Sequence, residues 1–246
     1  MFLNKLVLIT GANRGIGRAT AEAFAQAGAN LIVHSRIYTL DFAEEMSVLA
    51  AQYGVAVELV AFDMSDTLAM KAAVNSVLPP GRKIDVLVNN AGVAHGGLFQ
   101  MTPVSVVRSV FEVNFFAQLE LTQLMIRRMS RQKSGAIVNI GSIAGLDLAA
   151  GNVAYGVSKA ALMAFTQTLA AEVGSMGVRV NAVAPGLVDT EMATQMEKKA
   201  GTEMIQSSAM KRLATVKEIA QVVLFLASDA ASFVNGQVIP VNGGRA

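Results

Sequence analysis

The sequence predicts an α/β fold: a doubly wound parallel sheet of about seven strands, flanked by helices on both faces. Three observations predict it. Short apolar or β-branched runs recur along the chain, separated by longer segments with helical spacing. Those runs are apolar on both faces, as strands covered by helices on each side must be. The first run leads straight into a glycine-rich turn that opens a helical pattern.

Taken in order, strands are expected over residues 6–10, 30–35, 55–61, 86–89, 136–140, 179–183 and 238–241. Helical spacing marks 19–27, 64–77, 104–131, 153–173 and 216–227. The strandless stretch 187–213 is methionine-rich and mixed in charge. Loops of that length are uncommon unless functional, so short helices forming a substrate lid are expected there. No repeat, low-complexity tract or linker divides the chain, and residues 1–246 are expected to form one domain.

Composition removes several function classes. There is no cysteine, which excludes thiol nucleophiles, disulfides and cysteine metal sites. His34 and His95 show no metal-ligand spacing, so no metal is expected. The net charge is +2 and the basic residues are scattered, so nucleic acid is not an expected partner. Although 53% of residues are hydrophobic, no run reaches the roughly 18 apolar residues of a spanning helix. The apolar start is broken by Asn4 and Lys5 and reads as a buried strand, not a signal peptide. The expectation is a cytoplasmic protein with no membrane partner.

The first strand runs into Thr10-Gly11-Ala12-Asn13-Arg14-Gly15-Ile16-Gly17. Glycines at 11, 15 and 17 let the backbone turn tightly, and the helix behind them offers free N–H groups to a pyrophosphate. Alone, such a pattern is also an ordinary strand–helix turn. Its position after the first strand and before a helix makes it a dinucleotide loop of a Rossmann-type fold. The second strand ends at His34-Ser35-Arg36. An acidic residue there binds a ribose 2′-hydroxyl, whereas an arginine accommodates a 2′-phosphate. Ser35 stands where the carboxylate would, and Arg36 and Arg14 supply guanidinium groups, so NADP(H) is expected over NAD(H). Asp63-Met64 follows the third strand, and Asp63 or Ser65 is a candidate helix N-cap.

The fifth strand ends at Gly141-Ser142. Tyr155 follows, with Lys159 one helical turn further on the same face. A free phenol, with a pKa of about 10, is a poor acid or base near neutrality. A neighbouring ammonium favours the phenolate and is expected to lower that value. Tyr155 can then protonate a carbonyl oxygen as hydride arrives, while Ser142 hydrogen-bonds the same oxygen. Tyr-x-x-x-Lys by itself is common on helix surfaces; its weight comes from the cofactor frame around it. Asn114 lies among Val113, Phe115 and Phe116, so it is expected to be buried with partners.

These motifs resemble the short-chain dehydrogenase/reductase family along essentially the whole chain. The matching features are T-G-x-x-x-G-I-G at 10–17, N-N-A-G at 89–92, the Ser142…Tyr155-x-x-x-Lys159 set, Pro185-Gly186 and the closing Val241-Asn242-Gly243-Gly244. The resemblance implies catalytic roles for Ser142, Tyr155, Lys159 and Asn114. In it, Asn114 interrupts a helix and holds water in a proton relay to the lysine. It further implies cofactor contacts from Gly11, Asn13, Arg14, Gly15, Ile16, Gly17, Ser35, Arg36, Asp63, Met64, Asn90, Ala91 and Gly92. Tyr155, Lys159, Pro185, Gly186, Val188 and Thr190 complete that set, with Asp63 meeting the adenine and Thr190 the carboxamide.

Within the family the chain is most similar to 3-oxoacyl-acyl-carrier-protein reductases, through 10–17, 180–186, 211–220 and the C-terminus. That similarity implies a carrier-bound 3-oxoacyl thioester as substrate and an acyl carrier protein as partner. Carrier docking in that subfamily uses basic residues near the active-site mouth. One such position is Lys133 here, with Arg127, Arg128 and Arg131 close by; another is Ala171, not arginine. The approach Gly151-Asn152-Val153-Ala154 also departs from the subfamily. The alternatives are a reductase of a free ketone, sugar or secondary alcohol, and a catalytically silent nucleotide sensor. Segments 104–131 and 153–173 are apolar over more than one face, and a homotetramer or homodimer is expected.

Overall fold

The computed structural model describes residues 1–190, 205 and 208–244. Seven strands form one sheet in the order β3-β2-β1-β4-β5-β6-β7, every pair parallel. They are β1 Leu6–Ile9, β2 Asn30–Ser35, β3 Val57–Ala61, β4 Val86–Asn89, β5 Gly135–Ile140, β6 Val178–Pro185 and β7 Val238–Val241. The helices are α1 Gly15–Gln26, α2 Leu40–Tyr53, α3 Thr67–Val77, α4 Val104–Phe111, α5 Ala117–Gln132, α6 Val153–Val173 and α7 Val216–Ala227. No helix among the described residues is long and apolar enough to cross a membrane.

The two apolar faces of the strands each meet their own helix layer. On one side, Phe24 of α1, Met46 of α2 and Val223 of α7 pack on Val7, Ile9, Val33 and Val138. On the other, Met70 of α3, Leu121 and Met125 of α5 and Val173 of α6 pack on Leu8, Leu87, Ile137 and Val180. Alternate residues of one strand therefore serve opposite cores, which is why each strand reads as a continuous apolar run.

The strand expectations hold within one or two residues at their ends; β6 runs on to Pro185 because it pairs with β7 there. Helices α6 and α7 have the expected bounds. Helix α1 begins four residues before its expected start and α3 three after, and three further details differ. Helix α2 was not among the expected segments, although Thr39 caps its start and Gly54 ends it in the left-handed region. The expected helix 104–131 is two helices joined by a π turn, Glu112–Phe116. The cap of α3 is neither Asp63 nor Ser65 but Asp66, whose carboxylate accepts the Ala69 N–H at 2.9 Å.

Of the expected lid, residues 191–204 and 206–207 lie outside the described residues. Its flanks are anchored: Val188 pairs with Ala214, and Asp189 donates its N–H to Ala214 O at 2.9 Å.

Candidate active site

The sheet reverses its winding at β1, which pairs with β2 on one side and β4 on the other. Such a switch point opens a crevice beyond the carboxyl ends of the strands. The glycine loop lies there. Gly11 and Gly15 have φ of 64° and 56°, the left-handed region that favours glycine. A Cβ on Gly17 would stand 2.1 Å from Gly11 O and 2.4 Å from Asn90 Nδ2. The loop is braced from β4: Asn90 Nδ2 donates to Thr10 O at 2.8 Å and to Gly11 O at 2.9 Å. Thr10 Oγ1 accepts the N–H groups of Asn90 and Ala91, both at 2.9 Å. The Asn90 side chain thus fastens the loop. Asn13 and Arg14 are exposed at the loop tip, Ile16 packs partly into the core, and Thr190 reaches within 3.6 Å of where a Gly15 Cβ would be.

At the end of β2, Arg36 is exposed. Ser35 is buried, and its Oγ donates to Ile37 O at 2.8 Å, so the hydroxyl is used inside the turn. Asp63 is exposed and accepts the Ser65 N–H at 2.9 Å and Ser65 hydroxyl at 2.6 Å. These bonds hold its carboxyl below the usual carboxylate range, with smaller contributions from Arg36 and His34. The Met64 side chain is buried in the second core, which leaves only its backbone for a ligand. Val188 is likewise buried in the first core.

Ser142 follows β5, and its Oγ accepts the Ala144 N–H at 3.1 Å. That leaves its proton for the Tyr155 oxygen, to which it is hydrogen-bonded. Lys159 is buried one turn along α6 and donates to Ile140 O at 2.7 Å. The expected lowering of Tyr155 by Lys159 is not found. Burial pushes the phenol above its ordinary value, and the Ser142 hydrogen bond offsets only part of that rise. The phenol is therefore protonated near neutrality, the form that can give a proton away.

Asn114 is fully buried in the π turn, as the apolar neighbours implied. Its Oδ1 accepts Val93 N–H at 2.8 Å, and its Nδ2 donates to Val93 O at 2.9 Å and Ser158 Oγ at 3.0 Å. Ser158 in turn donates to Tyr155 O at 2.7 Å. Asn114 thus ties the loop after β4 to the helix that carries Tyr155. A Cβ on Gly92 would fall 3.1 Å from Asn114 Oδ1 and 3.4 Å from Lys159 Nζ, so glycine keeps open the space between them. Pro185 ends β6 and Gly186 turns against Asn242, a residue away from the strand that closes the sheet.

Beneath the site lies a buried polar ladder, of which only Asn89, in N-N-A-G, stood out in the sequence. Asn89 Nδ2 donates to Thr122 Oγ1 and to Asn139 Oδ1, both at 2.8 Å, and Asn139 Nδ2 donates to Thr166 Oγ1 at 2.8 Å. The signal was available: an asparagine inside an apolar strand must find partners. Asn89 and Asn139 are direct neighbours in the β4–β5 register. Among the described residues no cluster could hold a metal ion.

Burial also brings Lys159 down from 10.5 to about 8. The sign follows from linkage. As pH falls from 10.5 to about 8, the unfolded lysine protonates before the folded one, and folding loses stability until the loss is complete below 8. Lys159→Met is therefore expected to stabilise the unliganded protein at pH 7, by roughly 2 kcal/mol after the lost bond to Ile140 is counted. Thermal melts at pH 7 and pH 10 check this. The gain shrinks at the higher pH, and no gain at pH 7 contradicts it.

Two surfaces bear on the substrate. Gly97 donates its N–H to Gly151 O at 2.9 Å, joining the loop after β4 to the loop after β5. Leu98, Phe99 and Met101 from the first loop and Leu146 and Leu148 from the second are all exposed. They make an apolar rim along the two joined loops, the second of which runs in the chain from Ser142 to Tyr155. The basic residues expected at the mouth are elsewhere. Arg127, Arg128 and Arg131 are on the C-terminal half of α5, and Lys133 caps its end. Lys133 precedes β5 and Ser142 follows it, so the strand, on the order of 20 Å long, separates them.

Residues 11–246 match the family model described as Enoyl-(Acyl carrier protein) reductase. The chain is similar to the 3-oxoacyl-[acyl-carrier-protein] reductase FabG of Chlamydia trachomatis, 35% identical over 246 residues, covering 100% of this chain and 99% of that protein. Among solved structures, it is similar to NAD+-bound xylitol dehydrogenase, with 31% identity, a TM-score of 0.92 and 99% of each chain covered. It is also similar to L-sorbose reductase from Gluconobacter frateurii, solved with NADPH and L-sorbose. There the identity is 31%, the TM-score 0.91, and the cover 99% of this chain and 97% of that one.

Proposed function

This chain belongs to the short-chain dehydrogenase/reductase family, and from that premise we propose that it is an NADP(H)-dependent reductase of 3-oxoacyl thioesters. The chemistry a bound nicotinamide supplies is hydride transfer. The glycine loop residues Gly11, Asn13, Arg14, Gly15, Ile16 and Gly17 would hold its pyrophosphate at the start of α1. Gly92, Pro185, Gly186 and Thr190 would flank its nicotinamide half.

The chain's own residues then act on the substrate carbonyl. Tyr155 gives its proton to the carbonyl oxygen as that oxygen gains charge. Ser142 hydrogen-bonds and orients the same oxygen. Lys159, still mostly charged near neutrality although burial brings it down to about 8, favours the phenolate left behind. Asn114 and Ser158 hold α6 in register with the loop after β4, and the opening above Gly92 leaves room for a water between Asn114 and Lys159.

The substrate reading is carried by the apolar rim. Leu98, Phe99, Met101, Leu146 and Leu148 suit an aliphatic acyl chain, whereas a polyol would leave them unmatched. The test is NADPH consumption with acetoacetyl and longer 3-oxoacyl thioesters, beside xylulose, sorbose and simple cyclic ketones. A kcat/KM that rises with acyl length supports the reading. Turnover of the sugars alone overturns it, and tight NADPH binding with no turnover of any carbonyl makes the chain a sensor.

NADP(H) preference rests on Arg36, with no carboxylate at Ser35. Arg36→Asp is expected to raise the KM for NADPH by roughly tenfold to a hundredfold, the worth of a lost charge-assisted hydrogen bond, and to leave that for NADH nearly unchanged. Steady-state kinetics with both cofactors check it, and equal effects on the two refute the assignment.

Carrier docking requires a second copy. The basic end of α5 is too far from its own Ser142 to guide a carrier there, but antiparallel pairing of α5 and α6 between copies would bring it to the partner's mouth. Exposed Val104, Phe116 and Val157 favour such pairing into a homodimer or homotetramer. A monomeric mass in solution contradicts it.

A further inference from the structure

His34 is a buried titratable residue that the proposed mechanism leaves unused, and it joins the glycine loop to the end of β3. It is 1% exposed. Its Nδ1 accepts the Gly11 N–H at 3.2 Å, and its Nε2 faces Phe62 O at 2.9 Å. Its backbone O accepts the Ala12 N–H at 2.8 Å. The ring lies 4.0 Å from the Phe62 ring, centroid to centroid. These partners fix one neutral tautomer, with the proton on Nε2. Gly11 belongs to the pyrophosphate loop, Phe62 precedes Asp63-Met64, and His34 itself precedes Ser35-Arg36.

We infer that His34 is a positioning residue for the dinucleotide: its neutral imidazole sets the glycine loop against the ends of β2 and β3. This rests on the cofactor reading above. A proton on Nδ1 would face the Gly11 N–H, two donors in one contact, and the loop would lose its brace. Cofactor affinity should then fall with pH.

The groups around the ring fit that expectation. Desolvation holds the imidazole below its ordinary 6.5, while Phe62 O and the charge of Asp63 pull the other way. Arg36 acts on Asp63, not on the ring. Thr10, Gly11 and Ala12 bring no titratable group. Between pH 7 and pH 5 Lys159 is already protonated, so it does not contribute to a profile in that window.

The experiment is calorimetric binding of NADP+ and of NAD+ from pH 7 to pH 5. NAD+ lacks the 2′-phosphate, whose second ionisation falls near 6. For wild type, affinity for both is expected to fall by roughly tenfold across the window, the worth of one broken hydrogen bond. His34→Asn keeps an acceptor where Nδ1 was and should bind near the wild-type pH 7 level, without the NAD+ decline. His34→Gln keeps the donor to Phe62 but loses the acceptor, and should bind NAD+ weakly and evenly across the window. An NAD+ profile in His34→Asn that declines as in wild type, or a wild-type profile that is flat, overturns the inference. Absence of any dinucleotide binding by wild type at pH 7 overturns the cofactor reading instead.

Discussion

Tyr155→Phe is expected to lower kcat by about a thousandfold or more while changing dinucleotide affinity by less than about threefold, within the range general acids contribute. The substitution removes one hydroxyl and nothing else. Ser142 keeps its bond from Ala144, and Lys159 keeps its bond to Ile140, so the neighbours stay in place. What is lost is the proton that the proposed mechanism gives to the carbonyl oxygen. The direction of the phenol shift matters here. Because burial raises Tyr155 further above neutrality, reduction begins with the acid in its protonated form. Absorbance loss of NADPH gives kcat, and calorimetry gives the affinity. A variant with kcat within tenfold of wild type would sink the assignment of Tyr155 as the acid.

Gly17→Ala is expected to destabilise the fold by about 3 kcal/mol and to abolish measurable dinucleotide binding, since overpacking against rigid neighbours exceeds what rotamer changes relieve. Its Cβ would meet a backbone oxygen of Gly11 at 2.1 Å and the Asn90 amide at 2.4 Å. Neither can yield cheaply. Gly11 is held by His34 and Asn90 together, and Asn90 is held by Thr10. Gly96→Ala is the contrast, since nothing lies within 4 Å of its Cβ and its stability should change by less than about 0.5 kcal/mol. Chemical denaturation of both variants checks the pair. Equal stability for the two would show that the loop can shift, contrary to the bracing described.

How much of this was legible beforehand varies with the range of the interaction. Strand β2 and helices α6 and α7 have their expected ends because apolar runs and helical spacing are local signals. The placement of Tyr155 and Lys159 on one face of α6 follows from their spacing alone. Helix α2 was within reach too: Phe42, Met46 and Leu49 make a buried stripe at helical spacing, between Thr39 and Gly54. Choosing Asp66 over Asp63 as the α3 cap was not, because three hydrogen-bonding residues, Asp63, Ser65 and Asp66, compete within one turn.

The sequence by itself determined the seven strands in chain order, the glycine loop and the Ser142–Tyr155–Lys159 set, and so the family. It did so because dihedral limits, side-chain periodicity and i, i+4 neighbours act over a few residues. Only the tertiary structure decided that the Tyr155 phenol is pushed up and not down, that Ser35 and Asn90 turn inward, that His34 fastens the loop, and that Lys133 stands at the far end of β5 from Ser142. Those outcomes depend on desolvation and on hydrogen bonds between residues 21, 23 or 80 positions apart, such as Val93 with Asn114, Gly11 with His34 and Asn90 with Thr10. Burial and partner choice at such separations are set by how the two helix layers close on the sheet, and no local pattern carries them.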